Sequence, residues 1–159
     1  MKKSVLVIGY GNTLRGDDGA GYHIAQIVEA WDLPDVRSFS VHQLTPDLAA
    51  DIAEVKTVIF IDAIVVGFPH TEMPDPWLEP IERPIEPFSQ NSFTGHHIDP
   101  RSLLALTEKL YQKRPIAYQL LIPALDFEFG ESFSEMTHQA VQKALQKLQQ
   151  SLGSEPFFG

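Results

Sequence analysis

The feature that most constrains this chain is the run from Ser4 to Gly21, SVLVIGYGNTLRGDDGAG, where a continuous apolar, β-branched stretch enters a glycine-studded loop, an acidic pair and then a helical pattern. Such a run reads as a buried parallel strand turning into its crossover helix. Parallel strands need crossover connections, so this start commits the chain to an α/β layer architecture. In open α/β sheets, ligands bind beyond the carboxyl ends of the strands. Asp17 and Asp18 follow such an end and are the first candidates for chemistry.

The rest of the chain repeats the alternation. The helix expected from about Gly19 to Ala30 carries Ile24, Ile27, Val28 and Trp31 on one face. Val36 to Leu44 reads as a second strand ending in His42-Gln43-Leu44, after which Thr45 has the character of an N-cap and Pro46 of a first helical residue, with a short helix to about Glu54. Thr57 to Ile61 is a second fully apolar strand, expected to deliver Asp62 at its carboxyl end. Six prolines between Gly67 and Pro87 allow at most an edge strand, around Trp77 to Ile81. Asp99-Pro100 opens a helix to about Lys113 with Leu103, Leu106 and Leu110 on one face; Ile116 to Ile122 is the last buried strand. Ser132 and Glu135, spaced as a capping box, open a final helix through Met136, Ala140, Ala144, Leu148 and Leu152, closed by Gly153. These elements predict one domain over residues 1–159, a three-layer α/β/α sandwich on a twisted, mainly parallel five-stranded sheet, without internal repeats.

Composition narrows the function. A formal net charge of -9 disfavours phosphate backbones and anionic membranes as partners. The apolar run before the first glycine, Val5 to Ile8, is too short for a membrane span or a secretory h-region, so a cytoplasmic protein is expected. With no cysteine, any metal must be held by histidine and carboxylate. The glycine loop lacks the third glycine of a dinucleotide fingerprint, because position 14 is leucine, so a close approach of helix to strand is not expected there; no Gly-Lys-Ser/Thr follows for a P-loop.

Acids and histidines from several stretches converge on the expected sheet edge. Asp17 and Asp18 have an ordinary role as helix caps, one capping while the other points into the crevice. Asp62, ending a run of apolar residues, sits where charge is costly unless paired or metal-bound. His42 and His96-His97 should reach the same edge, whereas His23, His70 and His138 read as surface or packing residues. Two carboxylates and a histidine form an open divalent-cation site able to activate water or polarise a carbonyl. No zincin, serine-hydrolase or cysteine-nucleophile signature is present.

In order and spacing, these residues resemble the nickel-iron hydrogenase maturation endopeptidases over nearly the whole chain. Gly9-Tyr10-Gly11-Asn12-Thr13-Leu14-Arg15-Gly16-Asp17-Asp18-Gly19 is similar to that family's opening motif, Ile61-Asp62-Ala63 to its second, and Thr94-Gly95-His96 followed by Leu103-Leu104 to its third. Ile122-Pro123 with Phe127 to Glu131 and Ser134 is similar to its C-terminal pattern. The resemblance implies metal contacts from Asp18, where many members carry glutamate, Asp62 and His96, with Asp17, Asp18 and Asp62 each a conceivable general base. His42-Gln43-Leu44 stands where several members carry Asp-Gly-Gly-Thr; it resembles members serving cyanobacterial bidirectional hydrogenases and implies a substrate-specificity element. The implied reaction is one cleavage, by a monomer, removing a C-terminal extension from a hydrogenase large-subunit precursor after nickel insertion, the nickel arriving in the substrate. The stretches Gly67 to Pro87 and Ser92 to His97 are expected to wall the cleft that receives the tail. Two readings compete: a nickel-binding chaperone that cuts nothing, and a phosphorylatable receiver domain, which would need a lysine where Ile122 precedes Pro123.

Overall fold

A computed structural model describes residues 4–65, 75–82, 85, 87, 98–124 and 135–152. The elements run β1 (Val5–Tyr10), a single 3-10 turn (Gly16–Gly19), α1 (Ala20–Ala30), β2 (Val36–Val41), α2 (Leu48–Ile52), β3 (Thr57–Val65), β4 (Trp77–Pro80), α3 (Pro100–Tyr111), β5 (Ile116–Ala124) and α4 (Glu135–Leu152). The five strands form one sheet in the order β2-β1-β3-β5-β4. The first four are parallel; β4 runs antiparallel to β5 along one edge, where proline is tolerated. The expected sandwich is the one observed. The antiparallel edge strand separates it from a receiver, whose doubly wound sheet runs 2-1-3-4-5.

Strand alternation sorts the core into two layers. Val5, Val7, Ile59, Ile61, Ala63, Leu120 and Ile122 pack with α1 and α4. Leu6, Ile8, Val58, Phe60 and Ala117 pack on the other face with Leu48 and Ile52 of α2 and Leu103 and Leu104 of α3. The second face positions the site, because its two central files, Leu6-Ile8 and Val58-Phe60, continue into Tyr10 and Asp62.

Several local expectations need correction. β2 stops at Val41, and His42-Gln43-Leu44 leave the sheet as a bend. The chain turns after Thr45, but through three-residue hydrogen bonds from Leu48 to Thr45 and from Ala49 to Pro46; α2 begins at Leu48 after an N-cap Asp47 that makes no side-chain cap, and ends at Ile52. Thr45 therefore accepts through its carbonyl, tightening the turn without capping a helix. Leu110, on the last turn of α3, is 54% exposed, and Ile116, the first residue of β5, is 61% exposed, so neither end position belongs to the core. The Asp99 cap is as expected: its Oδ1 accepts the Ser102 N–H at 2.7 Å, and Pro100 opens α3. Ser132 and Gly153, the expected bounds of the last helix, lie outside the described residues.

The close approach of helix to strand, not expected without a glycine at position 14, is made by other glycines. A Cβ on Gly9 would lie 2.0 Å from the Gly21 carbonyl oxygen, and one on Gly21 would lie 2.4 Å from that of Ile61. Paired hydrogens at these two positions let α1 rest directly on β1 and β3. Gly11, at φ +149, lies against the Asp18 backbone, where a Cβ would be 1.9 Å from the carbonyl oxygen, so the loop folds back over its own start.

Candidate active site

A cleft of about 790 Å³ opens at the carboxyl edge of the sheet. Among the described residues it is lined by Tyr10 to Arg15, Asp18, His42-Gln43-Leu44, Asp62, Ile98 and Asp99. Four separate stretches of chain thus meet there: the loop after β1, the bend after β2, the middle of β3 and the start of α3.

Asp18 reaches the cleft from the 3-10 turn. Its Oδ2 accepts the Asn12 backbone N–H at 2.9 Å, while Asn12 Oδ1 accepts the Leu14 N–H at 2.9 Å, so the loop holds the carboxylate with its own backbone. The residues at the cap positions are Arg15 before the 3-10 turn and Gly19 before α1, and neither makes a side-chain cap. Asp17 is fully buried and does not line the cleft. Adjacent in sequence, the two acids face different surroundings because the tight turn rotates successive side chains far apart.

Asp62 is not the last residue of its strand, since β3 continues to Val65. Its exposure to the cleft arises from the shorter neighbour: the β1–β3 ladder ends at Gly9 opposite Ile61, so Asp62 is the first β3 residue past it. The Tyr10 hydroxyl donates to Asp62 Oδ2 at 3.1 Å. Burial pushes the Asp62 carboxyl up to about 6; the Tyr10 hydrogen bond and the Ala63 N–H oppose this, and the negative charge of Asp18 adds to it. Burial, with Asp62 beside it, also pushes the Tyr10 phenol far above its ordinary range, which keeps it a donor.

His42 is exposed at the cleft wall and stacks on Tyr22 of α1, ring centroids 5.0 Å apart and planes 12° apart. Gln43 and Leu44 line the same wall. His23 and His138 are exposed on helices, as expected of surface residues. His96, His97 and His70 lie outside the described residues, as do Thr94-Gly95, Phe127 to Glu131 and Ser134. Among the described residues no group of three histidine, aspartate or glutamate side chains is disposed to hold a metal ion. The donor set present is Asp18 and Asp62, two hard oxygen donors, and the Asp18 charge adds to the cost of ionising Asp62; a cation beside them relieves that cost, so the chemistry suits a divalent ion completed by further ligands.

Tyr10 is the residue that motif reading passes over, because glycines on either side draw attention to the turn. Its signal lies in the alternation Leu6-Ile8-Tyr10, which places it on the same face as Val58-Phe60-Asp62. Asp99 is legible as a cap but not as a lining residue, which depends on where α3 docks.

This is the architecture of the hydrogenase maturation peptidases. The chain superposes on the hydrogenase 2 maturation peptidase of a Thaumarchaeota archaeon with a TM-score of 0.66 at 24% identity, covering 95% of this chain and 99% of that one. It is similar to the [NiFe] hydrogenase maturation protease HybD of Thermococcus kodakarensis, at a TM-score of 0.65, 22% identity and coverage of 92% and 97%. The hydrogenase maturating endopeptidase HybD of E. coli matches at 0.59, 21% identity and coverage of 94% and 92%. No family model and no curated protein sequence matches the chain. The fold is therefore shared over almost the full length of these peptidases. Among the described residues no helix is long and apolar enough to cross a membrane.

Proposed function

We propose that this protein is a hydrogenase maturation endopeptidase, which removes the C-terminal extension of a nickel-iron hydrogenase large-subunit precursor once nickel is in place. The observation that carries the reading is the convergence of Asp18 and Asp62, from separate stretches of chain, on one open cleft of a fold shared with such peptidases. In this reading nickel belongs to the substrate, and Asp18, Asp62 and His96 contact it. Oxygen and imidazole ligands hold nickel less firmly than thiolates do, so this set inspects the metal without extracting it. A carboxyl near 6 is largely ionised at neutral pH and is a stronger base than an ordinary aspartate, which suits Asp62 as the general base that takes a proton from the attacking water. Asp18 is the alternative base; Asp17, buried away from the cleft, is the weakest of the three candidates. His42, Gln43 and Leu44 form the wall that selects the substrate, of the bidirectional-hydrogenase type, and the enzyme acts as a cytoplasmic monomer.

The test is the intact mass of nickel-loaded and nickel-free large-subunit precursor, before and after incubation with the protein or its Asp62→Asn variant. Loss of one defined C-terminal peptide, only with nickel and only with Asp62, is expected. Binding without any change of mass would replace the endopeptidase by a maturation chaperone.

A further inference from the structure

The two edges of the sheet are finished differently. β4 is four residues long and ends in an exposed Glu79 and Pro80; short strands, charge and proline are the means by which edges are blunted. β2, at the other edge, has six residues and no proline, and among the described residues no strand pairs with its outer side. Its inner side is engaged: the carbonyls of Asp35 and Val41 accept the N–H groups of Val5 and Gly11. Backbone groups alternate in direction along a strand, so Arg37 and Phe39 also face β1, and the N–H and C=O of Ser38 and Ser40 point outward.

Helix α1 runs beside that open edge. Tyr22, Gln26 and Glu29, one stripe at helical spacing, line a hollow of about 380 Å³ together with the β2 residues Ser38 to Val41. The hollow leads to the cleft, because Tyr22 lines the one, His42 lines the other, and their rings are stacked. Ser40 and His42 are two residues apart, about 7 Å along a strand. An edge strand with a helix beside it offers main-chain hydrogen bonds to an extended peptide and space for alternate side chains.

We infer that the outer edge of β2 is the docking strand for the substrate's C-terminal extension, which adds to the sheet as a further strand while the scissile bond lies in the cleft. An extension leaving the cleft past His42 travels toward Val36, antiparallel to β2, so Ser38 and Ser40 each exchange a pair of backbone hydrogen bonds with it. Its side chains then alternate between the hollow beside α1 and the opposite face. The chain is thus recognised first as an extended backbone. The inference deepens the maturation-endopeptidase reading and rests on it for the substrate.

Amide hydrogen exchange on the full chain tests it, with the protein alone and with nickel-loaded precursor held uncut by Asp62→Asn. The Ser38 and Ser40 amides should exchange readily in the protein alone and slow by at least about tenfold in the complex, while those of Arg37 and Phe39 are slow in both. A second measurement uses Ser40→Pro, which removes one outward N–H and no bond to β1. Ser40 Oγ is buried without a partner, so no side-chain bond is lost either. This variant should raise KM for precursor cleavage by about three- to tenfold at unchanged kcat, with a thermal melt checking its fold. Precursor that binds and is cut while Ser38 and Ser40 exchange as before would overturn the inference and leave the peptidase standing. Protection that is present in the protein alone and grows with its concentration would assign the edge to a second copy of the chain, which also overturns it. Precursor that protects both amides but is never cut, even by the wild type, would keep the docking strand and overturn the peptidase; precursor that does not bind overturns both.

Discussion

The two ends of the central sheet are built on opposite principles. At the amino ends of the strands, backbone groups satisfy one another: Lys56 and Thr57 donate to the Ser4 carbonyl, Val5 to Asp35 and Ile116 to Lys56. At the carboxyl ends the apolar files stop at Tyr10 and Asp62, and a desolvated carboxyl faces a second acid across an open cleft. One end secures the fold; the other holds a group in a state the fold would not choose. Destabilised groups of this kind gather where function needs them.

The comparison breaks most sharply at Asp62. Asp62→Asn should lower the rate of precursor cleavage by about 10²–10⁴-fold, the range typical of a lost general base, as read by intact mass over time. At the hinge between the two ends, Gly21→Ala would thrust a methyl into the Ile61 carbonyl and prise α1 from the strands. Overpacking of this sort costs about 1–3 kcal/mol or more, measurable as a lowered urea midpoint.

Stability and pH sharpen the contrast. The Asp62 carboxyl stands at about 6 in the folded protein against 3.8 as its ordinary value, so between those pH values the folded state binds a proton that the unfolded state has released. Stability from this group is therefore complete below about pH 4, falls as pH rises toward 6, and stays reduced above. Asp62→Asn lacks the charge and escapes the loss: its melting temperature should exceed the wild type's at pH 8, with the gap closing as the pH drops from 6 to 4. A variant less stable than wild type at pH 8 would mean that Asp62 is a structural ion, not a strained functional one. Asp99→Ala, removing the cap of α3, should cost about 1 kcal/mol. At the quiet end, Ile116→Lys should shift stability by no more than about 0.5 kcal/mol, since the side chain is already largely in solvent.

Much of this arrangement is legible without coordinates. Apolar runs of β-branched residues mark β1 and β3, the Asp99-Pro100 pair marks the start of α3, and proline density confines β4 to an edge, because each signal is a local property of the backbone. Asp62 stands out because an acid at the end of an apolar run is costly wherever the run folds, and Asp18 because it follows a strand and a glycine-studded loop, where α/β sheets bind ligands. What the one-dimensional pattern cannot carry is relative displacement. That Asp17 turns inward while Asp18 turns to the cleft depends on the tightness of one 3-10 turn. That α1 can lie on the strands depends on Gly9 and Gly21, 12 residues apart, meeting face to face.

The sequence by itself determined the layers, the strand order's parallel core and the acids at its carboxyl edge, because periodicity and the cost of buried charge act over a few residues at a time. Only the tertiary structure decided that the β1–β3 ladder ends at Gly9 and Ile61, one residue short of Asp62, and that the Tyr10 hydroxyl reaches across to it. Register between strands distant in sequence is set by packing of the whole core, and on that register the state of the Asp62 carboxylate depends.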